Sequence, residues 1–290
     1  MSELKVIEKT KEPITKQRIT YDLFQAGILE TDTLLLHSSL SSMGFVVGKE
    51  MTVVDAFLEA LVDGTLVMAA QTGDNSDPAL WVNPPVPEEW FEIIREHTPS
   101  YDKRTFSTRG MGRVVECFRH YKGVKRSPHP MSSFIAKGKQ ARFITKKHNL
   151  TPSFDMSSPL GKLYVLNAKV LLLGVSYDSA TIFHLSEVLS EKCKMEHQGT
   201  KLNGKWVEFE DFAYDNTDFK KLGKALEKEE LVTKVKIGNA DSILFDVRPV
   251  VDFASQWFRD HRSLIENLEE HSITKEKIDE TENKNEDALD

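Results

Sequence analysis

The 290-residue chain has only two cysteines, Cys117 and Cys193, and both sit inside helix-like patterns. A disulfide framework or a structural zinc site needs more thiols than this, at closer spacings. No stretch approaches the roughly 20 consecutive apolar residues that span a bilayer. The opening MSELKVIEKTKEP is polar and lacks the apolar centre of a signal peptide. No excess of positive charge offsets the acids, and the formal net charge is −7. Nine acids against three lysines between Glu269 and Asp290 give −6 of that, leaving about −1 for everything before. A basic stripe of the kind nucleic acid requires is not expected. The chain shows no internal repeat, no phosphate-binding P-loop, no GxGxxG and no GxSxG elbow. These absences point to a cytoplasmic protein with neither membrane nor nucleic acid as partner, and with no metal.

With 40% hydrophobic and 29% charged residues, the composition is that of a globular protein. Residues 1–265 read as one compact domain. Residues 266–290 read as an acidic tail, too polar to bury a core and expected to be disordered.

The clearest element is Lys169 to Val188. Val170 to Leu173 is an unbroken apolar run, the mark of a strand covered on both faces. Gly174 ends it, Ser176 to Ser179 is turn material, and a helix is expected from Ala180 to about Glu191. His184 and Glu187 share one face of that helix at i and i+3. Beyond the carboxyl end of a strand in an open sheet, such a pair is either an oriented base or an ordinary surface His–Glu contact.

Upstream, Thr15 to Ala26 has helical spacing, and Thr33 to Leu36 is another buried strand that runs into the serine-rich loop His37 to Gly44. Thr52 is placed to cap a helix whose apolar face is Val53, Val54, Phe57, Leu58 and Leu61, and Thr65 to Ala69 is the next strand. This strand–loop–helix–strand order builds parallel sheet. The serines could present hydroxyls and N–H groups to a ligand or simply form a turn. A long polar loop, Gln71 to Pro87, carries Asp74, Asp77 and Trp81, and loops of this length are functional or disordered. Pro87 opens a helix over Glu88 to His97. Thr108 is a candidate cap for a helix through Val114, Val115 and Phe118. His129 is pinned between Pro128 and Pro130.

Ser158-Pro159 starts a short helix, and Asn203-Gly204 marks a hairpin within Met195 to Phe212. Lys220 to Glu230, Ser242 to Phe245 and Val250 to Phe258 read as helix, strand and helix. Together these elements describe an α/β fold: one compact α/β/α domain with a mixed, largely parallel central sheet and a β-hairpin insertion.

The motifs resemble the aminoglycoside N(3)-acetyltransferase family, in its branch of Bacillus-type homologues. The matching stretches are Leu34 to Gly44, Gly64 to Met68, Asn83 to Pro87, Thr108 to Gly112, Arg126 to Pro130, Ser158 to Gly161 and Leu173 to Glu187. The resemblance implies acetyl-CoA as donor, an amine as acceptor, and a fold distinct from that of the commoner GCN5-type acetyltransferases. It puts His184 and Glu187 on the family's Thr-x-x-His-x-x-Glu motif, with His184 as base and Asp178 as a second candidate partner. His37, Ser38, Ser39, Leu40 and Ser41, with Thr108, Arg109, Gly110, Met111 and Gly112, fall on segments that hold CoA. Asp74, Asp77, Trp81 and His129 are the candidates on the acceptor side. Where the family usually carries Pro after Val-Met in the second strand, this chain has Ala69, a departure that bears on the shape of the neighbouring acceptor loop and on the identity of the acceptor. A homodimer is left open.

The implied activity is N-acetylation of an aminoglycoside or a similar small amine by direct transfer in a ternary complex, with His184 taking the acceptor's proton. Neither cysteine has the setting of a nucleophile. The rivals are a hydrolase using Ser38 or Ser39 with His184, and a non-catalytic CoA or small-molecule binding protein.

Overall fold

A computed structural model describes residues 2–262. The tail expected from 266 to 290, and the end of the expected 1–265 domain, lie outside the described residues. The strands are β1 (Thr33–Ser38), β2 (Thr65–Ala69), β3 (Lys125–Arg126), β4 (Phe134–Gly138), β5 (Lys169–Leu173), β6 (Met195–Leu202), β7 (Lys205–Phe212), β8 (Thr233–Ile237) and β9 (Ala240–Asp246). The helices are α1 (Glu3–Glu8), α2 (Lys16–Gln25), α3 (Lys49–Ala60), α4 (Phe91–His97), α5 (Arg113–Arg119), α6 (Ala141–Thr145), α7 (Pro159–Val165), α8 (Phe183–Ser190), α9 (Phe219–Lys228) and α10 (Val247–His261).

Seven strands form one sheet in the order β3-β4-β2-β1-β5-β9-β8, and β6-β7 stand apart as a hairpin. β1 pairs in parallel with both β2 and β5, while the outer pairings are all antiparallel. The sheet is therefore mixed as expected, with parallel pairing confined to its three central strands. The centre is parallel because α3 returns the chain from β1 to β2, whereas β3–β4 and β8–β9 are added as antiparallel neighbours.

Alternate side chains of the central strands enter two cores. Leu35, Val67, Val170 and Leu172 pack against α6 to α10. Leu34, Leu36, Leu66, Met68, Leu171 and Leu173 pack against α2, α3 and α5. Because both faces are covered, these strands read as continuous apolar runs in the sequence.

Short-range side-chain contacts set the ends of several of these elements. Thr15 caps α2 by accepting from Arg18 N at 3.2 Å. Ser158 caps α7 with Pro159 at its first position. Asn203 and Gly204 both take positive φ, 51° and 80°, as a two-residue hairpin turn with the strands' own twist requires.

Others differ. α3 begins after Gly48, in left-handed conformation at φ 76°, so Thr52 lies inside the helix. α5 begins after Gly112, not at Thr108, whose hydroxyl instead bonds Glu116 Oε2 at 2.8 Å. Ala180 is non-helical, so α8 starts three residues later than its periodicity implied. β8 escaped the reading because its alternate lysines face solvent at a sheet edge.

Candidate active site

In the parallel centre of the sheet, β1 and β5 end side by side, the crevice where open α/β sheets bind ligands. The loop after β1 is tied across this crevice: Ser39 N donates to Leu173 O at 2.9 Å and Ser42 Oγ to Gly174 O at 2.9 Å. Gly174 takes φ +63°, and a Cβ there would lie 2.4 Å from that of Ser42, so only glycine permits this closure.

Three clefts run together across this end of the sheet. A loop cleft of about 430 Å³ is lined by Ser38 to Ser41, Phe45, Lys49 and Gly112 to Val114. A central cleft of about 390 Å³ shares Ser38 and Gly112 with it and adds His37, Ala69, Gln71, Gly110, Met111, Asp178 and His184. A hairpin cleft of about 520 Å³ shares Gln71, His184 and Asn216 with the central one and is closed by Met131, Ser132, Phe154, Glu196, Gln198 and Tyr214. His184 stands at this second junction.

His184 sits on the first turn of α8 with its ring close to Phe154, Tyr214 and Phe219, at centroid distances of 5.7, 5.1 and 5.0 Å. Its Nδ1 bonds the Oε2 of Glu187, whose residue is only 1% exposed. The other carboxylate oxygen accepts from Arg262, which also reaches Asp218 Oδ2 at 3.3 Å. With Nδ1 engaged, Nε2 is the nitrogen left for chemistry in the cleft. Asp178 also lines the central cleft, but its carboxylate accepts from Lys220 at 2.7 Å and from Ser176 at 3.1 Å. Glu187, not Asp178, is the partner of His184. Among the described residues no serine hydroxyl bonds His184, so a Ser–His nucleophile pair is not assembled.

His37 lies on the cleft wall with its Nε2 enclosed and without a protein partner. Burial, with His184 beside it, pushes its pKa down to about 4. It is thus neutral at physiological pH and adds no cation next to His184.

The remaining candidates divide. Ser38, Ser39, Leu40 and Ser41 line the loop cleft, and Gly110, Met111 and Gly112 the central one. Arg109 turns instead toward the hairpin cleft, where it pairs with Asp74 and lies 5.9 Å from the Trp81 ring. Trp81 does not line that cleft; its Nε1 bonds Ser76 at 2.9 Å, and Ser76 does line it. Asp77 is buried beneath the loop, paired with Arg95 at 2.8 Å and capping Ala79 N, and so serves the loop's shape.

His129 is buried with both ring nitrogens engaged. Nδ1 accepts from Met131 N and Ser132 N at 3.0 and 2.8 Å, and Nε2 donates to Leu150 O at 3.1 Å. It orders the two residues that face the hairpin cleft without facing it itself. Burial pushes its pKa down to about 4. Tyr214, Glu196, Gln198 and Arg262 went unread, because they come from the hairpin, its exit and the end of α10 and share no motif.

The sequence pattern of the aminoglycoside 3-N-acetyltransferases matches residues 35–259. The chain belongs to the aminoglycoside 3-N-acetyltransferase family. It is 44% identical over 260 residues to the prophage-derived aminoglycoside N(3')-acetyltransferase-like protein YokD of Bacillus subtilis, covering 88% of this chain and 96% of YokD. Aminoglycoside N(3)-acetyltransferase III of Pseudomonas aeruginosa is 31% identical over 252 residues, covering 81% and 90%. The crystal structure of YokD superposes with a TM-score of 0.86 at 42% identity, over 89% of this chain and 98% of that one. That of the acetyltransferase AAC(3)-Xa does so with a TM-score of 0.80 at 29% identity, over 90% and 98%. As a member of this aminoglycoside 3-N-acetyltransferase family, the protein is an acyltransferase. Ala69 ends β2 and lines the central cleft together with Gln71. Among the described residues no helix is long and apolar enough to cross a membrane.

Proposed function

We propose that the protein transfers the acetyl group of acetyl-CoA directly to an amino group of an aminoglycoside or a similar amine-bearing small molecule. The observation that carries this reading is the position of His184, on the wall of two adjoining clefts. In this reading the loop and central clefts hold the donor, with its thioester near Gly110–Gly112, and the hairpin cleft holds the acceptor. An ammonium must lose a proton before its nitrogen can attack the thioester, and the Nε2 of His184 takes it. Glu187 orients the ring and balances the imidazolium that forms. The thioester oxygen gains negative charge as the C–N bond forms, and the backbone N–H groups of Gly110 to Gly112, which line the central cleft, are its candidate donors. The C–S bond then breaks, the departing CoA sulfur takes the second proton that the attacking nitrogen sheds and leaves as the free thiol, and the amide product departs on the hairpin side.

A cysteine intermediate is disfavoured by the thiols themselves. Cys193 is pushed up to about 12 by burial and by the charge of Glu187, and Cys117 is raised by burial. The experiment is a thiol-release assay with acetyl-CoA and a panel of aminoglycosides and simpler amines. Amine-dependent release that His184→Ala removes is the expected result. Release at the same rate without any amine would overturn transfer in favour of hydrolysis.

A further inference from the structure

The near-neutral balance of the folded part hides a separation of charge. From Lys103 to Lys147 there are thirteen lysines and arginines and a single acid, Glu116, a balance of +12 in a chain of −7. The fold brings much of this charge to the β3–β4 edge of the sheet, contrary to the expectation that no basic face exists. There a cavity of about 540 Å³ is bordered by Lys103, Arg104, Arg119, Lys125, Arg126, Arg142 and Lys146, with no carboxylate on its wall. None of its lining residues lines the three clefts around His184.

We propose that this cavity is a second ligand site, separate from the acetyl-transfer clefts, which binds a compact anion carrying two or more phosphate groups. Four separate segments supply the cations: the loop before α5, the end of α5, β3 and α6. Only Arg104 and Arg119 have carboxylate partners among the described residues, Asp102 and Glu116. Lys103, Lys125, Arg142 and Lys146 face solvent around the rim. Lysines on an edge strand can serve only to keep sheets from pairing. That role needs a charge or two along the strand, and does not call for cations from helices and loops gathered round a concavity.

The floor is built as well as the rim. Arg126 is 7% exposed, and its guanidinium is held by Ser133 Oγ at 2.9 Å, Ala70 O at 2.8 Å and Phe106 O at 2.5 Å, so its position is set in advance and it supplies charge to the floor. The volume falls in the range of small-molecule sites, and guanidinium forks mixed with ammonium groups are the chemistry that recognises phosphate. Several cations at close range repel one another unless an anion sits among them, and one phosphate would balance only part of that charge.

The probe is inorganic tripolyphosphate, titrated calorimetrically into the full-length protein at roughly physiological salt, with CoA titrated in parallel. We expect saturable binding that weakens as salt rises and becomes at least tenfold weaker in K125E/R142E/K146E, with CoA affinity unchanged. The neutral triple variant K125Q/R142Q/K146Q should show the same loss in smaller measure, which keeps the test valid if charge reversal harms folding. Absence of saturable binding, or equal binding by the variants, would overturn the proposal. Competition between tripolyphosphate and CoA on the wild-type protein would also overturn it, by making the cavity part of the donor site. Tighter binding of a single-stranded RNA oligonucleotide than of tripolyphosphate would replace the small-ligand site with an open polyanion-binding face.

Discussion

Arg262 closes the end of α10 onto the buried carboxylate of Glu187, 75 residues away in the chain. The carboxylate therefore lies between a permanent cation and the Nδ1 of His184. A carboxylate this enclosed needs a counter-charge that does not depend on the protonation of its histidine partner.

Removing that counter-charge is expected to cost stability and turnover together. Losing one partner of a buried pair costs up to about 3–5 kcal/mol, so Arg262→Gln should lower the unfolding midpoint clearly. Glu187→Gln in the same background should then cost less than it does alone. Chemical denaturation of the two single variants and the double variant measures this; simple additivity would mean that the pair is not coupled.

His184→Ala should lower turnover by about 10²–10⁴-fold while leaving CoA affinity near that of the wild type. Glu187→Gln should lower it substantially too, whereas Asp178→Asn, whose carboxylate is occupied by Lys220 and Ser176, should lower it less than tenfold. Steady-state rates with one good amine acceptor decide the order. Equal losses in the Glu187 and Asp178 variants would contradict the partner assignment.

For the donor, saturating CoA should raise the melting temperature, since ligand at 100 times its Kd stabilises by about 2.7 kcal/mol. Ser39→Trp fills the loop cleft and Gly110→Trp the central one, and each should abolish the rise. An undiminished rise in both variants would place CoA elsewhere.

Acid should destabilise the fold through histidines held neutral inside it. His37 and His129 are both lowered from the ordinary value near 6.5 to about 4 by burial, and His148 is lowered by burial and by His129. The unfolded chain takes up protons below about 6.5 that the folded one refuses until about 4. The stability present above 6.5 is therefore lost as pH falls through this window, at up to ~1.4 kcal/mol per pH unit for each histidine. Urea unfolding at pH 7, 6, 5 and 4 should show this slope. His129→Asn, though less stable at pH 7, should show a shallower one.

The sequence by itself determined the local elements and the pairing of His184 with a face of α8. Apolar runs at Leu34–Leu36 and Val170–Leu173, the caps Thr15 and Ser158, and the turn Asn203-Gly204 act through neighbours a few residues apart. Their outcome is written in short spacings and survives any arrangement of the rest. His184 and Glu187 needed only the helical period to share a face.

Tertiary structure alone decided which of Glu187 and Asp178 serves His184, because Lys220 and Arg262 reach those carboxylates from other helices. It turned Arg109 toward the hairpin cleft, and it buried Asp77 and His129 as supports for the loops that line the site. It also gathered the cations of residues 103–146 around one cavity, although they are scattered along four segments. These facts depend on which distant side chains meet when two cores close on a sheet, and no spacing within the sequence carries that information.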